Sequence, residues 1–274
     1  MDIFLFQITL AGNIPCQIQA STLDEMTRGL PQGFYTTFST SSNGTKVMGL
    51  RAHLQRLFVP AAEQGISPSV TVGVLRARVA ELVKLNLPME SRVRVILTKN
   101  DGMIYVGIQP FLPLSKQVYE SGIKVITAEL ARNSPRIKDT GFISASVEER
   151  KRVGRNIFEI LLTKDGNILE GMTSNFYAII GNTLITARRG ILLGVTRRAI
   201  LRLARGQGMS IIYRSPRVDE KFHEAFLTSS SRGVVPIVSI DNKPVGQGRV
   251  GKWSGMLSKA YQAYVEERSE RIVH

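Results

Sequence analysis

The chain has 274 residues, 43% of them hydrophobic, and a formal net charge of +14. That length allows one large domain or two modest ones around a real core, and no apolar run approaches the ~20 residues of a membrane span. The charge admits nucleic acid, an acidic membrane surface or small anionic ligands as partners and by itself selects none of them.

In chain order, "IFLFQI" and "GFYTTFST" read as strands. No basic leader precedes the first, so it is read as a strand and not as a signal peptide. Periodicity predicts helices from about Ala52 to Glu63, irregular at Pro60, and from about Val70 to Leu87. Strands "SRVRVILT" and "MIYVGIQPF" follow, joined by a hairpin turn at Lys99-Asn100-Asp101-Gly102. The proline-bearing "PFLPLSK" is the expected linker. It separates a small N-terminal α+β domain (1–112) from a larger C-terminal one (123–274), with 113–122 between them.

The second half opens with strand "GIKVITAE", a helix from about Ser146 to Arg155 and strand "IFEILLT". A turn at Lys164-Asp165-Gly166-Asn167 leads into "ILEGMTSNFYAII", where Glu170 and a Gly-to-Asn polar break interrupt an apolar run. Strand "TLITA" comes next, then an amphipathic helix from Thr196 to Gln207 with Ile200, Leu201, Leu203 and Ala204 inside. Strands "SIIYR", "EAFLTS" and "VVPIVSI" and a last helix from about Gly255 to Arg268 complete the chain. Strands and helices mix without strict alternation, which predicts two α+β lobes.

Several chemistries find no support. "GQGRVG" matches G-x-G-x-x-G, but the sequence after it has no room for the second strand of a dinucleotide-binding unit. His53, His223 and His274 lack metal-ligand spacing, so no metal is expected. A single Cys16 excludes an internal disulfide and fits a reducing cytoplasm. The basic residues are scattered, and the densest group, "EERKRVGR", interleaves carboxylates, as a solvated helix face does. That argues against nucleic acid.

Four features together point elsewhere. In "LLGVTRRAIL" a glycine precedes Thr196 and a helix start, which offers free N–H groups to a phosphate or is an ordinary N-cap. "FLTSSSRG" places hydroxyls, Thr228 to Ser231, at a strand end. "HLQRL" sets Arg56 on a helix among apolar neighbours, where it either meets an anion or snorkels. With Glu170 at a strand joint, these suit a cofactor carrying a phosphate at one end and a basic nitrogen at the other, as pyridoxal phosphate does.

In the order "HLQRL", "IKDTG", "LEGMTSNFY", "LLGVTR" and "FLTSSS…P", the sequence resembles the class IV aminotransferases, fold-type IV pyridoxal 5′-phosphate enzymes. The resemblance implies an α+β two-domain fold with a larger C-terminal pseudo-barrel domain, a homodimer, and ping-pong transfer between an amino donor and a 2-oxo acid. It implies Lys138 as the Schiff-base lysine, Glu170 as partner of the ring nitrogen, and Asn175 as the residue shaping that joint. Arg56, Val195, Thr196, Ser229 and Ser230 match its phosphate cradle, and Tyr35 its aromatic substrate-side position.

Two departures matter. Phe142 and Ile143 stand where branched-chain members carry a tyrosine that contacts the cofactor hydroxyl. Thr98-Lys99-Asn100 stands where D-amino-acid enzymes carry a T-R-G turn, so Lys99, with Arg232, is the candidate reader of a substrate carboxylate. An aminodeoxychorismate lyase, eliminating pyruvate, is the alternative within the family. A basic nucleic-acid-binding or non-enzymatic relative is the alternative outside it.

Overall fold

The computed structural model describes residues 2–154 and 156–273. It divides into two compact units. The first takes the chain to Leu112, returns for Ile137–Ala145 and again from Glu266 onward; the second takes Pro113–Arg136 and Ser146–Val265. In chain order the elements up to the linker are β1 (Phe4–Ile8), β2 (Asn13–Cys16), α1 (Leu23–Arg28), β3 (Gly33–Ser41), β4 (Lys46–Val47), α2 (Leu50–Glu63), α3 (Val72–Val83), β5 (Ser91–Thr98) and β6 (Ile104–Pro110). Then come α4 (Lys116–Ser121), β7 (Ile123–Glu129), α5 (Gly141–Ala145), α6 (Val147–Lys151), β8 (Glu159–Lys164), β9 (Asn167–Gly171), β10 (Asn175–Ile180) and β11 (Thr183–Thr186). The last are α7 (Val195–Gly206), β12 (Ser210–Tyr213), β13 (Glu224–Ser229), β14 (Gly233–Ile240), β15 (Lys243–Pro244), α8 (Lys252–Arg268) and β16 (Glu270–Arg271).

The first unit is a seven-stranded sheet in the order β16-β4-β3-β5-β6-β1-β2. Alternation along β3 sorts its side chains between two faces. Phe34 and Phe38 enter the core beneath α2 and α3, with Leu54, Leu57, Leu75 and Val79. Tyr35 enters a smaller cluster with Met26, Ile96 and Ile143. The α2 helix runs through Pro60 to Glu63, and α3 ends at Val83, with a 3₁₀ turn continuing to Asn86. The expected Ser146–Arg155 helix is shorter, α6 ending at Lys151 after the separate α5; Arg155 lies outside the described residues.

The second unit is a nine-stranded sheet in the order β12-β11-β10-β13-β14-β7-β8-β9, with β15 on β14. Between β9 and β10 lie four strands, so laid flat the two would be about 24 Å apart. Yet β9 ends at Gly171 and β10 begins at Asn175, a span of at most about 15 Å of chain. The sheet therefore has to curl until β9 approaches β10. The polar break in the "ILEGMTSNFYAII" stretch is the link across that closure.

The "GQGRVG" segment precedes α8, two of whose first-turn N–H groups are already taken by one carboxylate. Glu224 accepts from the Trp253 N–H (3.0 Å), the Ser254 N–H (2.7 Å) and the Ser254 hydroxyl. Among the described residues no helix is long and apolar enough to cross a membrane.

Candidate active site

In the first unit the Lys138 segment is stitched to the start of β3. The Tyr35 N–H donates to the Lys138 carbonyl (2.8 Å), the Thr140 N–H to the Gly33 carbonyl (2.9 Å), and the Gly33 N–H to the Thr140 hydroxyl (2.9 Å). Asp139 accepts from the Gly141 N–H (2.7 Å) and forms an ion pair with Lys99. The lysine's backbone is thus fixed at its own carbonyl and at the residues that follow it, while its Nζ lies 4.6 Å from the centre of the Tyr35 ring. Arg94 lies 5.0 Å from the same ring, anchored on Asp24 at 2.6 Å.

Arg56 leaves α2 one turn after His53. The His53 imidazole is buried, with Nδ1 at 2.7 Å from the Thr36 hydroxyl. Burial, and then the charges of Arg56 and Lys138, lower its pKa to about 3, so it is a neutral ring at physiological pH.

In the second unit Glu170 is only 2% exposed. A carboxylate so deep needs partners, and the curl supplies them. Arg132 Nε donates to Oε1 at 2.7 Å in a buried ion pair, and the Leu192 N–H donates to Oε2 at 3.0 Å. Asn175 Nδ2 lies 3.3 Å from Oε2 and donates to the Leu192 carbonyl at 2.8 Å. The expected joint between Glu170 and Asn175 is therefore one connected group that also holds the loop leading to α7.

A second carboxylate braces the bend. Glu159, buried on β8, accepts through Oε1 from the Thr173 N–H (2.7 Å) and from the Thr173 and Ser174 hydroxyls. Its Oε2 pairs with Arg232 at 2.8 Å, as a charge contact outside hydrogen-bond alignment. Gly171 is required here: a Cβ would lie 2.2 Å from Ser174 Oγ and 2.7 Å from Glu159 Oε1.

The phosphate-type features meet at the start of α7. Gly194 is the N-cap residue, and no side chain caps the helix. A Cβ on Gly194 would lie 2.4 Å from Asn175 Oδ1, so the loop approaches the joint as closely as backbone allows. Thr196 Oγ1 is 3.5 Å from Ser230 Oγ, and Tyr261 donates to it at 3.4 Å. Val195 opens the helix, and Ser229 ends β13 beside Ser230. A free helix start and two hydroxyls within one contact fit a phosphate, and the buried carboxylate of the same unit fits a pyridine nitrogen.

The expected residues thus fall into two groups: Tyr35, Arg56, Lys99 and Lys138 in the first unit, the rest in the second. Both candidate carboxylate readers are engaged within the protein. Lys99 pairs with Asp139, and Arg232 pairs with Glu159, donates to the Thr173 hydroxyl and to Ser229 Oγ (3.2 Å), and stacks on Phe158. Sequence reasoning missed Arg132, Asp139, Glu159 and Arg197. Glu159 carried a signal, a lone carboxylate within an otherwise apolar strand; Arg132 carried none.

The comparisons bear on the family and the fold. The family model described as amino-transferase class IV matches residues 33–240. The D-alanine aminotransferase of Bacillus licheniformis is 28% identical over 240 residues, covering 82% of this chain and 85% of that protein. The branched-chain-amino-acid aminotransferase of Pseudomonas aeruginosa is 25% identical over 249 residues, 83% of this chain and 81% of its own. Among solved structures, the T.th. branched-chain amino acid aminotransferase with pyridoxamine 5′-phosphate has a TM-score of 0.82 at 17% identity, covering 98% of both chains. The branched-chain amino acid aminotransferase from Escherichia coli has a TM-score of 0.75 at 18% identity, covering 95% of this chain and 93% of that one. At such identities the structural likeness shows the fold, which is the expected type IV fold. These relatives are transaminases and do not favour the lyase alternative; the non-enzymatic reading falls as well. Matched across most of its length, the chain belongs to the class IV aminotransferases, enzymes that work with pyridoxal 5′-phosphate.

Proposed function

We propose that the enzyme exchanges an amino group between an amino acid and a 2-oxo acid in two half-reactions, with Lys138 as its catalytic residue. Bound pyridoxal 5′-phosphate supplies an aldehyde carbon and a ring able to accept electrons from the substrate α-carbon. Lys138 would hold that cofactor through its side-chain amine, and the same amine, when neutral, would carry the proton at the substrate α-carbon. Glu170 keeps the proton on the ring nitrogen. Asn175 orients Glu170 through their contact at 3.3 Å. The N–H groups of Val195 and Thr196, the hydroxyls of Thr196, Ser229 and Ser230, and Arg56 hold the phosphate. Tyr35 stands on the substrate side. Lys99 and Arg232 act by positioning, Lys99 through Asp139 and Arg232 through Ser229.

The observation that carries this reading is the Glu170 joint. A mere turn would leave the carboxylate solvated, whereas here it is 2% exposed and aimed by an ion pair and two amide donors. The visible spectrum tests it. Purified protein should be yellow, lose that band on borohydride treatment, and carry the reduced cofactor on Lys138. A Lys138→Ala protein with an unchanged reducible band would overturn the assignment.

The relatives' names divide between D-alanine and branched-chain amino acids, so the donor is found with a panel of D- and L-amino acids, scored by conversion to the amine form. We further propose a cytoplasmic homodimer; light scattering of the holoenzyme should return twice the chain mass of 30.3 kDa.

A further inference from the structure

Among the described residues three arginines are buried: Arg94, Arg132 and Arg197. Arg94 has Asp24 and Arg132 has Glu170 as carboxylate partners. Arg197, 4% exposed, has neutral partners only: it donates to the Thr186 hydroxyl (2.6 Å) and the Ala187 carbonyl (2.7 Å) and lies 5.7 Å from the centre of the Tyr177 ring. No carboxylate pairs with it among the described residues. Tyr177 is no anion either, because burial raises its phenol pKa against the opposing pull of Arg197. A buried full charge without a counter-charge is costly and calls for an anion.

The residue itself belongs to the first turn of α7, where the proposed function places the phosphate. Arg197 is the third residue of this 12-residue helix, and helical side chains lean toward the N-terminus. The same turn has no side-chain cap and carries the Thr196 hydroxyl, 3.5 Å from Ser230 Oγ. Helix dipole, uncapped N–H groups and one unneutralised guanidinium thus act in the same direction, and the low dielectric lets the charge act without contact.

We propose that Arg197 supplies the counter-charge to the phosphate monoester of the cofactor, and that the bound phosphate in turn neutralises Arg197. The assignment rests on the cofactor reading above. Arg197 is a positioning residue that acts through charge; its hydrogen bonds are spent on Thr186 and Ala187 and it need not touch the ligand.

Cofactor-stripped protein separates this from mere bracing. Wild type, Arg197→Met and Arg197→Lys are each titrated with pyridoxal 5′-phosphate and with pyridoxal, which lacks the phosphate. The readouts are visible absorbance and borohydride-fixed label at Lys138. In Arg197→Met the phosphorylated cofactor should bind on the order of tenfold or more weakly, with pyridoxal unchanged. Arg197→Lys, which keeps the charge and loses the fork, should retain most of the affinity. Inorganic phosphate should raise the thermal midpoint of wild type and Arg197→Lys, and not that of Arg197→Met.

Equal loss of both cofactors in Arg197→Met, or no loss of either, overturns the proposal. Should that variant fail to fold, Arg197→Lys decides: a folded lysine variant that has lost the phosphorylated cofactor but kept pyridoxal overturns it. Wild type that takes up neither probe overturns the cofactor reading itself, and the assignment with it.

Discussion

The two ends of the second unit's site treat charge in opposite ways. Around Glu170 the protein supplies both partners, a carboxylate and a buried guanidinium 2.7 Å apart, with amide donors completing the group. At the start of α7 it supplies donors and one buried guanidinium, with which no carboxylate pairs among the described residues. The first end is finished by folding. In the proposed reading the second is finished by the cofactor phosphate. On that proposal a cofactor would meet a buried carboxylate for its ring and an uncapped helix start for its phosphate, so orientation and affinity would be set by different parts of the same unit.

The contrast is broken most severely at the first end. Arg132→Met should strand Glu170 as a buried lone anion and cost about 3–5 kcal/mol in denaturant unfolding of the stripped protein. Arg197→Met removes an unpaired charge and leaves only neutral groups without a partner, so it should cost no more than about 1–2 kcal/mol there. Equal costs would erase the distinction.

Glu170→Gln turns the first end into a copy of the second, with a guanidinium facing no carboxylate. It should retain bound cofactor while single-turnover proton transfer falls on the order of 10²-fold, and normal turnover would return Glu170 to the role of a turn residue.

The first unit offers a pH version of the same test. His53 has a folded pKa of about 3 against 6.5 when unfolded, so the unfolded chain binds the proton first. Stability contributed by the neutral ring is complete above about pH 6.5 and is lost as pH falls toward 3, amounting to ~2 kcal/mol at about pH 5. His53→Asn should flatten that part of the acid limb in a melting-temperature series.

The smallest effect belongs to Lys99. Its ion pair with Asp139 is a third exposed, so Lys99→Met should change stability by less than about 1 kcal/mol. A large rise in KM for every carboxylate substrate would instead make it a direct reader.

What the sequence reveals about this site follows from range. Glu170, Asn175, Thr196 and the Ser229–Ser230 pair sit in short motifs, because each must adopt one local geometry: a strand joint, a helix start or a strand end. Lys138 is legible only through family resemblance, since nothing local separates it from the other lysines. Arg132 and Glu159 are invisible or nearly so, because their importance comes from partners 38 and 14 residues away. Nor does any local pattern signal that Ile137–Ala145 packs with the first unit. The helices on the first sheet were readable from 3.6-residue periodicity, whereas the two-residue strands β4, β15 and β16 are too short to show alternation.

The link from Gly171 to Asn175 has a consequence for anyone who would re-engineer this protein. It is a strap drawn between distant strands of a sheet, and its length sets how tightly that sheet rolls. The Asp165–Gly166 hairpin tip could take extra residues with little change elsewhere. A single residue added within 172–174 would give the roll slack, and the carboxylate of Glu170, next to the strap at the end of β9, would move with it.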